Sequence, residues 1–264
     1  MQVFVESVGL LGPGLSGWPA SRPVLTGVAP YVPGEVPLPS PDALPAAERR
    51  RTGLEVRLAL NAGLDALVRS ARPPETLASV FTSCCGEGHA IHQICEALAT
   101  AERVVSPTSF HNSVHNAPAG YWSIAQRSQA PSTSLCCFEW SFNAGLLEAC
   151  AYCLTEARPV LLISYDLPYP EPVHAVWPMT GTLGAALLLA PRATSASFAR
   201  LDVQTETDAR APTRMQDPAL EALRSGNPTG RALPLLRALA GPAPERLVLE
   251  YLTDSAALVT VTPC

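Results

Sequence analysis

The stretch that decides the fold is Pro131-Ser-Thr-Ser-Leu-Cys-Cys-Phe-Glu-Trp-Ser-Phe-Asn-Ala-Gly-Leu-Leu-Glu-Ala-Cys-Ala-Tyr-Cys-Leu-Thr155. Thr133 to Cys137 reads as a strand, and Ser141 to Thr155 as a long helix rich in small residues. Pro159-Val-Leu-Leu-Ile-Ser164 and Gly184 to Ala190 follow, two short apolar runs of the kind buried in a sheet that is covered on both faces. A strand, a helix and another buried strand in succession form the unit of a layered α/β domain.

The same alternation extends toward the N-terminus. Val3-Phe-Val-Glu-Ser-Val-Gly9 alternates apolar and polar residues and runs into the turn Leu11-Gly-Pro-Gly14, as a strand entering a loop does. From Gly17 to Pro45 the chain holds eight prolines, which restrict both helix and central strand, so an irregular surface segment is expected. Pro45 to Ser70 carries Leu54, Leu58, Leu60, Leu64, Leu67 and Val68 near a 3.6 period and predicts an amphipathic helix. Leu77 to Ser83 predicts a strand, and Ala90 to Ala101 and Asn116 to Arg127 predict helices.

Past Pro191 the texture turns to Ser, Thr, Asp, Arg and Pro as far as Pro218. A helical pattern from Ala219 to Ala240 and two apolar segments, Arg246 to Tyr251 and Ala256 to Val261, complete the chain. Residues 1–192 are therefore expected to form the main α/β domain. Residues 193–264 are expected to be a short appendix packed on the same sheet.

Composition narrows the function. The net charge of -5 offers no basic footprint for a phosphate backbone, so nucleic acid is not expected as a partner. All 18 basic residues are arginine, which excludes a Schiff-base lysine, a pyridoxal anchor and a Walker-type lysine. No secretory signal opens the sequence and its longest apolar run, Thr182 to Ala190, is half the length of a membrane span, so a cytoplasmic location is expected. In such a compartment the eight cysteines read as reduced thiols, and the CxxC pair Cys150 and Cys153 has no second pair to complete a zinc site. Cys84 and Cys85 with His89 and His92 suggest a metal cluster, but adjacent residues alternate faces in a strand, so packing and helix-start roles are preferred. No metal or cofactor is expected.

Three stretches carry a resemblance: Val8-Gly-Leu-Leu-Gly-Pro-Gly14, Ser106-Pro-Thr-Ser-Phe-His-Asn-Ser-Val-His-Asn-Ala-Pro-Ala-Gly-Tyr-Trp-Ser-Ile124, and Ser141-Phe-Asn-Ala-Gly-Leu-Leu-Glu-Ala149. Together they resemble the β-ketoacyl synthase-like (N-terminal domain) family, in particular the chain-length-factor-like subunits of aryl polyene type II polyketide pathways. The resemblance implies a thiolase-like half-fold, a mixed β-sheet covered by helices on both faces.

It also implies a strand leading to a nucleophilic cysteine at a helix N-terminus, where dipole and amides favour thiolate. Ungapped comparison puts Glu139 at that position, and a one-residue slip puts Phe138 there. Neither replaces a thiol, because a carboxylate attacking a thioester gives a labile mixed anhydride and phenylalanine has no nucleophile. The family's second-half histidines have no counterpart either, since the last histidine of this chain is His174.

The resemblance thus implies a non-catalytic partner of a full-length ketosynthase, one that shapes the acyl site of a heterodimer and meets an acyl carrier protein through the complex. Such an interface is expected to bury more than about 2,000 Å² and to use Ser113, His115, Asn116, Gly120, Ser134 and Cys136. His111 and His115, bracketed by Pro107 and Pro118, read as turn residues with structural hydrogen bonds. Two alternatives stay open: a stand-alone acyltransferase or thioesterase using Cys136 or Cys137, and a homodimeric acyl-binding scaffold.

Overall fold

The computed structural model describes residues 1–207 and 210–264. The first part of the chain forms β1 (Gln2–Gly12), β2 (Leu15–Ser16), α1 (Trp18–Leu25), α2 (Ala46–Arg49), α3 (Leu54–Leu67) and β3 (Ala78–Thr82). It continues through α4 (Gly88–Ala99), α5 (Pro107–Asn112), α6 (Ala117–Gln126), β4 (Ser132–Leu135), α7 (Ser141–Thr155), β5 (Val160–Asp166), α8 (Val173–Val176) and β6 (Leu183–Ala190). The rest comprises β7 (Ala199–Glu206), α9 (Pro218–Gly226), α10 (Leu233–Ala240), β8 (Glu245–Tyr251) and β9 (Ser255–Pro263).

The strands join one mixed sheet in the order β4-β3-β5-β6-β1-β7-β9-β8, with β2 folded back on the end of β1. β4, β3 and β5 run parallel, and the remaining pairs are antiparallel. Outward from the β1–β7 pair the order repeats on each side, β6 then β5 and β9 then β8. Residues 199–263 thus supply three strands, β7, β9 and β8, to the sheet.

Alternation along the strands divides the core. On β5, Leu161, Ile163 and Tyr165 face α3 and α6, while Val160 and Leu162 face the side where α7 lies. On β1, Val3 and Val5 share a face with Val8 and Leu10 although their numbers differ in parity. A bulge between Val5 and Ser7 restores the phase. Glu6 is the inserted residue, and its carboxylate takes Arg72 at 2.5 and 2.7 Å and Thr194 Oγ1 at 2.7 Å.

The opposite face of β1 needs Gly9. A Cβ there would meet the Ala62 carbonyl oxygen at 2.1 Å, so the absent side chain lets α3 lie directly on the strand. Ser7 Oγ donates to the Ala66 carbonyl in the same seam.

Several local expectations fail, among them the single helical pattern over 219–240, which breaks at Asn227 and Pro228 into α9 and α10. The proline-rich segment contains α1, because Pro19 sits in the first helical turn, where its missing N–H is not needed, and Pro23 falls only one turn later. The helix expected over 45–70 breaks into α2 and α3, with Gly53 at the start of the longer piece. The strand expected to reach Cys137 ends at Leu135, so Cys136 and Cys137 lie in the connection to α7.

Candidate functional site

Parallel strands deliver their carboxyl ends to one rim, and open α/β sheets bind ligands where successive crossovers leave on opposite faces. That switch occurs at β3. The connection from β3 to β4 passes α6 on one face of the sheet, and the connection from β4 to β5 passes α7 on the other. The rim therefore gathers Ser83-Cys84-Cys85-Gly86 after β3, Cys136-Cys137-Phe138-Glu139 after β4, and Asp166 to Tyr169 from β5 onward.

The turn after β4 is tightly held. Ser141 Oγ donates to the Phe138 carbonyl at 2.6 Å and accepts from the Cys137 amide at 2.9 Å, and Thr82 Oγ1 donates to the Ser141 carbonyl at 2.7 Å. Phe138 is forced to φ 48, a conformation rare for a bulky side chain. Its ring is 59% exposed and stacks on Trp177 with centroids 5.5 Å apart. Tyr169 extends this aromatic wall, 6.4 Å from Trp177.

Glu139 occupies the following position, in a single 3-10 turn ahead of α7. Its carboxylate lies 3.7 Å from Arg231, and Arg231 also lies 3.1 Å from Glu250. Glu139, Trp177 and Arg231 line a cavity of 210 Å³. Cys136 is exposed, whereas Cys137 is partly buried and burial pushes its thiol upward, away from thiolate.

Behind the rim sits Asp166, fully buried. Its Oδ1 accepts from the Cys84 amide at 2.8 Å and from Ser83 Oγ at 3.1 Å, and its Oδ2 accepts from Thr229 Oγ1 at 2.7 Å. Burial raises this carboxyl to about 7 against those hydrogen bonds. Thr229 also lies 2.7 Å from Ser164 Oγ, so this network ties the segment between α9 and α10 to the end of β5.

A second buried cluster lies between α3 and α4. Glu55 and Glu87 are each 2% exposed, and each keeps one carboxylate oxygen without a hydrogen-bond partner. Burial, then the Glu55 charge, raises Glu87 to about 9. Burial works to raise Glu55, but the His89 Nδ1 contact to Oε1 at 2.8 Å, the His89 charge and the backbone amides of Glu55 and His89 together hold it below the ordinary value. One proton held by Glu87 and donated toward Glu55 satisfies both open oxygens.

The other expected residues fall as follows. His92 lies 3.3 Å from Glu96 and His89 is engaged by Glu55, so carboxylates rather than the Cys84 and Cys85 thiols pair both imidazoles. Among the described residues no group of side chains is arranged to hold a metal ion. Cys150 and Cys153 are buried in α7 with thiols pushed up to about 12. His111 belongs to α5, its ring edge-on to Tyr121, and His115 lies in the turn before α6. Ser113, His115 and Ser134 are half-buried, Asn116, Gly120 and Cys136 exposed.

Asp166, Thr229, Glu55 and Glu87 escaped the sequence reading. The signal available for Asp166 was an acid closing the apolar run Val160 to Tyr165. A groove of 840 Å³ lies away from the rim beside α1 and α10, and its Arg69 is already engaged by Asp65 and the Val8 carbonyl. Among the described residues no helix is long and apolar enough to cross a membrane.

Residues 27–232 match the family model described as "Beta-ketoacyl synthase, N-terminal domain". No curated protein sequence matches the chain significantly. Among solved structures, the chain resembles a ketosynthase (ApeO) in complex with its chain length factor (ApeC) from Xenorhabdus doucetiae, at 23% identity and a TM-score of 0.74, over 98% of this chain and 99% of that one. The ishigamide ketosynthase/chain length factor gives 14% identity and 0.72, over 99% of each chain. A type II polyketide synthase acyl carrier protein in complex with its ketosynthase gives 12% identity and 0.74, over 100% of this chain and 99% of that one. At these identities the likeness establishes the thiolase-like fold.

Proposed function

The chain belongs to the β-ketoacyl synthase N-terminal domain family, and from that premise we propose that it is a non-catalytic, chain-length-factor-like partner of a complete ketosynthase. It would serve fatty acid or polyketide biosynthesis of the aryl polyene type in the cytoplasm, shaping the acyl site of a heterodimer and meeting an acyl carrier protein through it. The observation that carries this reading is the turn after β4. Where the resemblance puts a nucleophilic cysteine, Glu139 stands beside Arg231, and the preceding Phe138 is stacked on Trp177.

The partner surface follows from the sheet. β4 is an edge strand, half-exposed along Thr133, Ser134 and Leu135, and so offers unpaired backbone groups to a second sheet. Ile124 on α6, which packs against β4, stands in solvent, and so do Phe110 on α5, 70% exposed, and Val114 after it. A Cβ on Gly120 would touch nothing, so α6 presents a flat surface there.

The Xenorhabdus structure contains a ketosynthase together with its chain length factor, which supports a heteromer over a homodimeric scaffold. Co-expression with a ketosynthase of the same pathway followed by native mass spectrometry tests the reading. A 1:1 complex is expected, and a chain that stays monomeric or pairs only with itself in the presence of the ketosynthase would refute it.

One observation favours a second reading. Cys136 is exposed at the carboxyl end of β4, where a stand-alone acyltransferase would need its thiol. Selective acylation at Cys136 or Cys137 followed by turnover in the isolated chain would support that enzyme.

A further inference from the structure

Cys85 is the exposed member of an adjacent thiol pair at the carboxyl end of β3, between the ends of β4 and β5. Its neighbours fix it from both sides. The Cys84 amide is held by Asp166, and the Gly86 amide donates to Ser83 Oγ at 3.1 Å. Gly86 has φ 71, and a Cβ on it would lie 2.7 Å from His115 Nδ1, so the imidazole packs against the backbone directly after Cys85.

The chemistry of this pair is asymmetric. The two sulfurs are 4.0 Å apart, with Cys84 buried and Cys85 open to solvent, so Cys84 is placed to donate and Cys85 to carry the charge. That hydrogen bond, with help from the Tyr169 hydroxyl and the His115 charge, outweighs partial burial and lowers Cys85 to about 6. Trp177 packs against the buried Cys84 and Tyr169 and stacks on the exposed Phe138, which leaves an aromatic surface on the same rim.

We propose that Cys85 is a nucleophilic thiol that accepts acyl groups from acyl thioesters, the acyl chain lying along Trp177 and Phe138. The Cys85 thiolate attacks the thioester carbonyl carbon, a new C–S bond forms, and the original C–S bond breaks. The released thiolate takes a proton from water, leaving a Cys85 thioester and a free thiol. Only the choice of an acyl electrophile rests on the function proposed above; the nucleophilicity of Cys85 stands on the geometry of the rim.

The test uses the full chain with two probes. Iodoacetamide at pH 6.5, with peptide mass spectrometry, should label Cys85 at least about fivefold faster than the exposed Cys95 and Cys264, because a thiol lowered to about 6 gains more in thiolate fraction than it loses in intrinsic reactivity. Decanoyl-N-acetylcysteamine should then leave a decanoyl adduct on Cys85 that is absent in Cys85→Ser and retained in Cys136→Ser. Equal labelling of the exposed cysteines overturns the proposal. So does fast alkylation without a decanoyl adduct, and either result leaves the ketosynthase-partner reading intact. Conversely, failure to bind a ketosynthase leaves both assays of Cys85 unaffected.

Discussion

Arg231 Nη2 lies 3.7 Å from Glu139 Oε2, joining the short helical turn between α9 and α10 to the turn that precedes α7. Arg231 is nearly buried and also faces Glu250, whereas Glu139 is about half exposed, so the pair contributes little stability but sets the charge of the rim. In the reading proposed above, Glu139, or Phe138 one residue earlier, stands where the resembling enzymes carry a thiolate.

Restoring the thiol alone should therefore not restore condensation. Glu139→Cys is expected to alkylate with iodoacetamide yet release no carbon dioxide from malonyl thioester in the isolated chain, because no histidine follows His174. Radiolabelled malonyl thioester measures this directly, and decarboxylation by the variant above the unmodified chain would count against the account.

The Glu55–Glu87 pair should make stability fall as pH rises. Glu87 has a folded value near 9 against an ordinary 4.5, so the folded state holds a proton that the unfolded chain loses, and that stabilisation is full below 4.5 and gone above 9. His89, raised by its hydrogen bond to Glu55, adds the same sign at its own higher range. Urea-unfolding midpoints at pH 6, 7.5 and 9 should decline for the natural chain and decline less for Glu87→Gln. Parallel slopes for the two proteins would contradict the shared proton.

Gly9→Ala should be among the costliest single changes in the fold. The new methyl would overlap the Ala62 carbonyl and approach the Ala66 amide at 2.8 Å, so α3 must move off β1. About 3 kcal/mol is expected, or roughly 6–12 °C in Tm. A thermal melt within 2 °C of the natural chain would show that the seam is looser than it looks.

Much of this fold was legible in the sequence because its strands are continuous apolar runs and α7 has a uniform small-residue face. Ser141 to Thr155 and Leu183 to Ala190 announce themselves. What stayed hidden depends on contacts distant in sequence. Asp166 meets Thr229 across 63 positions, and Glu55 meets His89 across 34, so no local pattern links them. α1 was masked by its prolines, whose effect depends on their place in the helix rather than their number. Glu139 and Phe138 were singled out only through the family resemblance.

Phe110→Asp combined with Val114→Asp should abolish binding to a ketosynthase while leaving the fold intact. Both side chains are exposed, so charge there costs the isolated chain less than about 0.5 kcal/mol but is unfavourable in an apolar interface. Size-exclusion chromatography of the mixture, with circular dichroism of the variant alone, checks both halves. A complex that survives the double change would move the interface elsewhere.

The central claim is that the cysteine at which condensation occurs belongs to the partner ketosynthase and not to this chain, and a reconstituted condensation assay with that ketosynthase tests it most directly. Replacing the ketosynthase's own catalytic cysteine by alanine should abolish condensation, while Cys136→Ser with Cys137→Ser in this chain should leave it within about twofold. Condensation that persists without the partner's cysteine, or vanishes with the loss of Cys136 and Cys137, would contradict the claim.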